Sequence, residues 1–160
     1  MDYVAELRRA VIDAEDRWRD AGDDRAEART APGKWSAKEI IGHLIDSASN
    51  NHQRFVRAQF QDDLVFPGYD QDEWVRAQHY HHARWPELLA LWRDFNLHLA
   101  RVMETTTADV RLKQRRRHNL HEIAFRPASA DAPATLDFLM EDYVVHLRHH
   151  LRQIAAILDR

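Results

Sequence analysis

Apolar residues recur at steps of three and four in four separate segments of this 160-residue chain. That spacing puts them on one face of an α-helix, with charged residues on the other faces. Each such stripe has to be buried against another helix. The chain has only four glycines and no cysteine, so helix breaks are few and a disulfide framework is excluded. The pattern predicts an all-α four-helix bundle, and the length suits a single domain over residues 1–160.

The second of these segments carries the clearest helix start. Ser36 and Glu39 have the spacing of a capping box, in which each side chain bonds the other residue's backbone N–H. Trp35 and Ile40 flank it as a hydrophobic staple. We expect this helix to run to about Phe60. The other three helices are predicted over residues 4–20, from Pro86 to 105, and from Thr135 onwards.

Two connections, residues 61–85 and 105–134, are long for a compact domain. Both could cross over the bundle, so a simple up-down-up-down order is not assured. A short helix is predicted from Asp70 to Gln78, where acidic residues mark a helix start. We expect Trp74 and Tyr80, in the same connection, to cover one end of the bundle.

The net charge of −3 argues against bulk electrostatic binding to nucleic acid or to an anionic membrane. The first residues lack the apolar run of a signal peptide, and no stretch is apolar enough to span a bilayer. The sequence therefore predicts a cytoplasmic protein that binds neither nucleic acid nor membrane.

A pair of histidines near the C-terminus stands out among the eleven in the chain. His146 and His150 are four residues apart, which puts their Cβ atoms roughly 6 Å apart on one helix face. His43, on the second helix, can oppose them. It falls on the flank of that helix rather than at the centre of its apolar stripe, which argues mildly against deep burial. With so many histidines the pair could also be ordinary surface or packing residues.

Three neutral imidazoles suit Zn(II) or Ni(II) and do not suit calcium or magnesium. A structural zinc site usually has four protein ligands, whereas three leave a position open for water or substrate. His43, His146 and His150 therefore predict an open metal site at which water or a thiol is activated.

Other polar residues near these histidines allow two interpretations. Asp46 and Asp142 either orient a ligand or are solvated, and Gln153 either bonds bound water or fills a packing gap. His149 points away from the pair and is not expected to be a ligand. Arg115, Arg116 and Arg117 are expected in a solvated loop, with an anionic substrate group as the alternative. His79, His81 and His82 could approach the site from their loop, which we do not expect.

Three stretches together resemble the DinB-like (DinB/YfiT) superfamily. They are Trp35-Ser-Ala-Lys-Glu-Ile-Ile-Gly-His43-Leu-Ile-Asp46-Ser47 with Gln53-Arg54-Phe55, Phe66-Pro-Gly-Tyr69-Asp70-Gln-Asp-Glu-Trp74, and His146-x-x-His149-His150-x-x-Gln153-Ile154. The resemblance covers nearly the whole chain. It implies a four-helix bundle with nickel or zinc on three histidines, often as a homodimer. The family's first ligand maps onto His43 and its C-terminal pair onto His146 and His150.

The resemblance does not fix the reaction. Some branches of the family resemble transferases or isomerases that use low-molecular-weight thiols such as bacillithiol or mycothiol, and others are labelled hydrolases. The first hypothesis is an enzyme that activates water or a thiol on a small-molecule substrate. The second is a non-catalytic metal-binding or stress-response bundle, in which the metal only ties two helices together. A third is a domain whose histidines bind no metal.

Overall fold

The computed structural model describes residues 2–159, which contain eight α-helices and one 3₁₀ turn and no β-strand. The four long helices are the four that the apolar stripes predict, and the short ones lie in the connections. In chain order they are α1 (Asp2–Trp18), α2 (Asp23–Glu27), α3 (Ala37–Arg57), α4 (Gln71–Gln78), the 3₁₀ turn (Tyr80–His82), α5 (Trp85–Thr105), α6 (Ala108–Leu112), α7 (Leu120–Ile123) and α8 (Leu136–Leu158).

The four long helices form a bundle whose consecutive members are not all neighbours. Helices α1 and α3 each pack against both α5 and α8. This places α1 diagonally opposite α3, and α5 diagonally opposite α8. Residues 19–36 and 106–135 therefore connect helices across a diagonal of the bundle, while residues 58–84 join the neighbours α3 and α5. The four-helix bundle with long crossover connections is confirmed. Of the two connections predicted as possible crossovers, only the second crosses the bundle, and a bundle in which every helix neighbours the next is excluded.

Helix α3 begins as the sequence predicts and ends slightly earlier. The Ser36 hydroxyl accepts a hydrogen bond from the Glu39 backbone N–H at 3.3 Å, and the Glu39 carboxylate accepts one from the Ser36 N–H at 2.8 Å. The helix ends at Arg57, three residues before the predicted end, and Phe60 lies in the following turn with 86% of its surface exposed. The apolar pattern misplaced this end because Phe60 is not a core residue.

Helix α3 is buried on more than one face. Its apolar stripe faces α5 and α8, and α4 with the 3₁₀ turn packs on a further side. The ring of Tyr80 lies directly against the backbone of Gly42, with no room for a Cβ atom there. Tyr80 therefore covers the side of α3 at Gly42, whereas Trp74 stays 38% exposed and lies at a tilt against the ring of Tyr69. Flank positions of α3 are consequently enclosed, which the sequence pattern does not reveal. That the two residues cover an end of the bundle stays a prediction.

The prediction of a solvated arginine run at residues 115–117 is wrong for Arg115. This side chain is 3% exposed, and its guanidinium donates to the backbone carbonyls of Ala58, Val110 and Lys113. Arg115 thus ties the end of α3 to the connection after α5, because it satisfies carbonyl groups that a helix end leaves free. Arg116 is exposed.

No helix within residues 2–159 has the length and apolar character needed to cross a membrane.

Candidate metal centre

Three imidazoles converge between α3 and α8. His43 projects from α3, and His146 and His150 project from successive turns of α8. One ring nitrogen from each lies within 4.8 Å of the others, and the Nε2 atoms of His43 and His146 are 3.2 Å apart. The structure thus brings together the three histidines that the sequence predicts as ligands. That they bind a metal stays a prediction.

The expectation that its flank position keeps His43 from deep burial is wrong, because the side chain is only 2% exposed. The His43 ring is covered by Trp35, whose ring centroid lies 5.2 Å away, and by the two histidines of α8. The flank of α3 is closed because α8 packs along it. The burial of His43 was therefore underestimated when it was judged from the apolar stripe of α3 alone.

In two of the imidazoles an oxygen atom near Nδ1 favours the tautomer that carries its proton on Nδ1 and none on Nε2. The Gln153 side-chain oxygen lies 2.8 Å from His150 Nδ1, and the Ser47 hydroxyl lies 3.5 Å from His146 Nδ1. A proton on each Nδ1, donated to these oxygens, leaves each Nε2 lone pair free toward the centre of the cluster. Metal-binding histidines are usually oriented by such a partner on the second nitrogen. His43 Nδ1 is buried and has no partner among the described residues.

The spacing of one pair of nitrogens fits a tetrahedral metal ion. Two nitrogens bound at about 2.0–2.1 Å to the same tetrahedral zinc lie about 3.3 Å apart. The measured distance of 3.2 Å between His43 Nε2 and His146 Nε2 agrees with that value. Without an ion, these two nitrogens avoid repulsion only if one of them carries a proton and donates it to the other.

Burial keeps the cluster neutral. Burial, with a smaller contribution from neighbouring histidines, lowers the pKa of His43 to about 3 and that of His146 to about 2. Burial also lowers the pKa of His150, against the opposing effect of the hydrogen bond that its Nδ1 donates to the Gln153 side-chain oxygen. Near neutral pH the lone pairs needed for metal binding are therefore available without loss of a proton.

Two cavities meet at the three histidines. The first has a volume of about 260 Å³ and is lined by His43 and His146 together with Ser47, Arg54 and Tyr69. The second, of about 450 Å³, is lined by His150, Gln153, Lys34, Trp35 and Ile157. Gln71, at the start of α4, borders both. Small molecules can therefore approach the cluster from two sides.

The two aspartates near the predicted ligands are neither solvated nor bonded to a histidine ring. Asp46 is buried and accepts hydrogen bonds from the Tyr80 hydroxyl at 2.6 Å and from the Gln78 amide at 2.7 Å. Asp142 is also buried and accepts from the backbone N–H groups of Phe125 and Arg126, each at 2.8 Å. Asp142 thus holds the backbone of the segment after α7, and Asp46 binds side chains of α4 and the 3₁₀ turn to α3.

The remaining predicted histidines stay outside the cluster. His149 hydrogen-bonds to the Gln153 amide, and its ring lies 5.1 Å from that of His150 and 5.2 Å from that of Phe125, but its nitrogens are not among those that converge. His79, His81 and His82 form a separate group at the surface, with their ring nitrogens within 4.8 Å of one another. His79 has a left-handed backbone (φ 51°), which turns the chain between α4 and the 3₁₀ turn.

Sequence reasoning missed several residues of the site. Ser47 and Arg54 lie on the same flank of α3 as His43, four and eleven residues further on, so helical spacing could have identified them. The ring of Phe125 lies 5.3 Å from that of His146. No sequence signal pointed to it, because it reaches the site through a fold of the connection between α7 and α8.

Comparison with known proteins agrees with this fold. YfiT from Bacillus subtilis, described as a probable metal-dependent hydrolase with an unusual four-helix bundle topology, superposes with a TM-score of 0.78. The two are 18% identical, and the match covers 98% of this chain and 83% of YfiT. No curated protein matches the chain. The family model of the DinB superfamily matches residues 6–154, and the chain therefore belongs to the DinB superfamily.

Proposed function

We propose that His43, His146 and His150 hold one divalent transition metal, zinc or nickel, and that this site acts on a small molecule. The observation that carries the proposal is the convergence of three neutral imidazoles, with ring nitrogens within 4.8 Å of one another, beside two cavities. The description of YfiT as a probable metal-dependent hydrolase supports it. A metal with three protein ligands supplies Lewis acidity, which lowers the pKa of water or a thiol bound to it.

The protein's own residues prepare the site in two ways. Burial keeps the imidazoles neutral, and the Gln153 and Ser47 oxygens hold the His150 and His146 rings by their Nδ1 atoms. The two cavities leave room for two small molecules beside the cluster, which supports a reaction with a low-molecular-weight thiol as co-substrate as well as simple hydrolysis.

Metal content tests the site directly. Purified protein is dialysed against metal-free buffer after loading with zinc or nickel, and bound metal is measured by elemental analysis. We expect about one tightly bound ion per chain, lost in His150→Ala. His82→Ala, in the surface group of histidines, is the matched control and keeps the ion. Equal amounts of metal in wild type and His150→Ala would refute the site.

Turnover separates an enzyme from a structural metal site. Metal-loaded and chelated protein are compared on a panel of esters and amides, and on electrophiles offered with a thiol co-substrate. Turnover that chelation abolishes supports the enzyme. The alternative is a non-catalytic, stress-response type of bundle in which the metal ties α3 to α8. It requires a lower melting temperature after chelation and no turnover on any substrate. Homodimer formation stays a prediction, to be measured by analytical ultracentrifugation.

A further inference from the structure

The flank of α3 that carries His43 also carries a buried arginine. Arg54 is 6% exposed and lines the smaller cavity together with His43, Ser47 and Tyr69. Its guanidinium donates to the Pro67 carbonyl at 3.2 Å and, at 3.5 Å, to the Asn51 side-chain oxygen. Both acceptors are neutral. Within residues 2–159 no carboxylate lies within ion-pair distance of this guanidinium, and the Tyr69 phenol, not a carboxylate, is the group that raises its pKa.

An isolated buried cation is costly. Removing a charge from water carries a penalty of several kcal/mol, which an opposite charge normally offsets. Burial lowers the pKa of Arg54, in line with that penalty, and arginine nevertheless stays charged in proteins. The two carboxylates that line the same cavity are engaged elsewhere. Asp142 is held by Arg126 and two backbone N–H groups, and Glu122 accepts from Asn119.

The surroundings of Arg54 suit a negatively charged oxygen group. A guanidinium presents paired N–H donors that match a carboxylate or a phosphate. The cavity adds the hydroxyl of Tyr69, whose pKa burial raises to about 12, so that it keeps its proton and can donate a hydrogen bond. Ser47 provides a further hydroxyl in the same cavity.

We propose that Arg54 binds the anionic group, a carboxylate or a phosphate, of the small molecule on which the histidine site acts. This rests on the proposed function for its link to a reaction, while anion binding itself needs no metal. His43 and Arg54 are eleven residues apart, so their Cα atoms lie about 16 Å apart along the helix. One flank of α3 therefore carries both a histidine of the cluster and the arginine that binds the anion, and both line the same cavity.

Anion binding is tested on metal-free protein, because a metal would itself bind carboxylates. Succinate, inorganic phosphate and neutral succinamide are titrated while the Arg54 Nε–H signal is followed by NMR, with Kd values from calorimetry. We expect succinate or phosphate to shift this signal and to bind at least tenfold more tightly than succinamide. Whichever anion binds identifies the class of anionic group. Equal binding of succinate and succinamide, or no shift with either anion, would overturn the proposal.

Substitutions at Arg54 provide a second test of anion binding. Arg54→Gln removes the charge and should weaken anion binding at least tenfold, and Arg54→Lys should weaken it less. Arg101→Gln, at an exposed arginine of α5, is the matched control and should bind like wild type. Unchanged affinity in Arg54→Gln would show that Arg54 only supports the Pro67 backbone, and would overturn the proposal. If Arg54→Gln does not fold, the comparison of succinate with succinamide on wild type decides.

His43→Ala separates this proposal from the proposed function. It should lose the metal and keep the anion. If the wild-type protein binds the anion but no metal, the histidine site is refuted and the role of Arg54 is not. Retained metal binding without anion binding would refute only the role of Arg54.

Discussion

Replacing Gly42 by alanine tests how the segment around Tyr80 is seated on α3. In the middle of a helix this change normally stabilises a protein by about 1 kcal/mol, because glycine has the larger conformational freedom in the unfolded chain. Here a Cβ atom would overlap Cγ and Cδ2 of the Tyr80 ring and lie 2.7 Å from its Cε2. Rotation about the Cβ–Cγ bond leaves Cγ in place, and rotation about the Cα–Cβ bond carries the hydroxyl away from Asp46. The overlap is therefore relieved only by moving the ring off Asp46 or by moving the 3₁₀ turn.

The cost follows from what that movement breaks. Overpacking in a buried site costs about 1–3 kcal/mol. Loss of the 2.6 Å hydrogen bond from the Tyr80 hydroxyl to buried Asp46 costs roughly a further 1–3 kcal/mol. After subtraction of the helix gain, Gly42→Ala should destabilise the protein by about 1–5 kcal/mol. For a chain of this length that corresponds to a melting temperature lower by roughly 2–20 °C.

A double-mutant cycle, measured by urea denaturation with circular dichroism, provides the control. In a Tyr80→Ala background the ring is absent, so adding Gly42→Ala should stabilise by up to about 1 kcal/mol, the ordinary value for a helix. The change of sign between the two backgrounds is the diagnostic result. A Gly42→Ala variant that is more stable than wild type, or equally destabilised in both backgrounds, would refute the close approach of Tyr80.

Three further changes have defined outcomes. Ser36→Ala removes the capping box of α3 and should lower the unfolding free energy by about 1 kcal/mol; an unchanged melting temperature would contradict this. Asp142→Asn should cost about 2–3 kcal/mol and speed hydrogen exchange in the loop that covers His146, because a buried acceptor of backbone N–H groups is lost; Asp13→Asn, at an exposed position of α1, should change neither measurement. In metal-free protein, His43 and His146 have folded-state pKa values of about 3 and about 2, below the unfolded value of about 6.5, so protons bind preferentially to the unfolded chain. Stability present above pH 6.5 should therefore fall with decreasing pH, by up to about 1.4 kcal/mol per pH unit for each of the two histidines; urea midpoints that stay constant between pH 7 and pH 5 would exclude this.

Local signals in the sequence predicted the helices well. The starts of α3 and α8 follow from Ser36 and Thr135, whose side chains accept the hydrogen bonds expected of capping residues. Such signals act within one helical turn, so they need no knowledge of the rest of the fold. The end of α3 was less certain, because Phe60 continues the apolar pattern without being buried.

The ligand set was predicted from the spacing of His146 and His150 and from the resemblance of three motifs to a family. Spacing could not show how deeply His43 is buried, since that depends on Trp35 and on the packing of α8 along the flank of α3. The sequence also did not show that Arg115 is buried, because the carbonyl groups to which it donates, such as that of Ala58, are distant in sequence.

The sequence by itself determined the helical class, the helix starts and the three histidines, because periodicity and capping are properties of neighbouring residues. Only the tertiary structure decided that α1 and α3 lie diagonally, that Tyr80 covers Gly42, and that Arg54 shares a cavity with His43. These features depend on contacts between segments far apart in the chain. Burial, which sets the charge state of the histidines and leaves Arg54 without an acidic partner, arises only when those segments pack together.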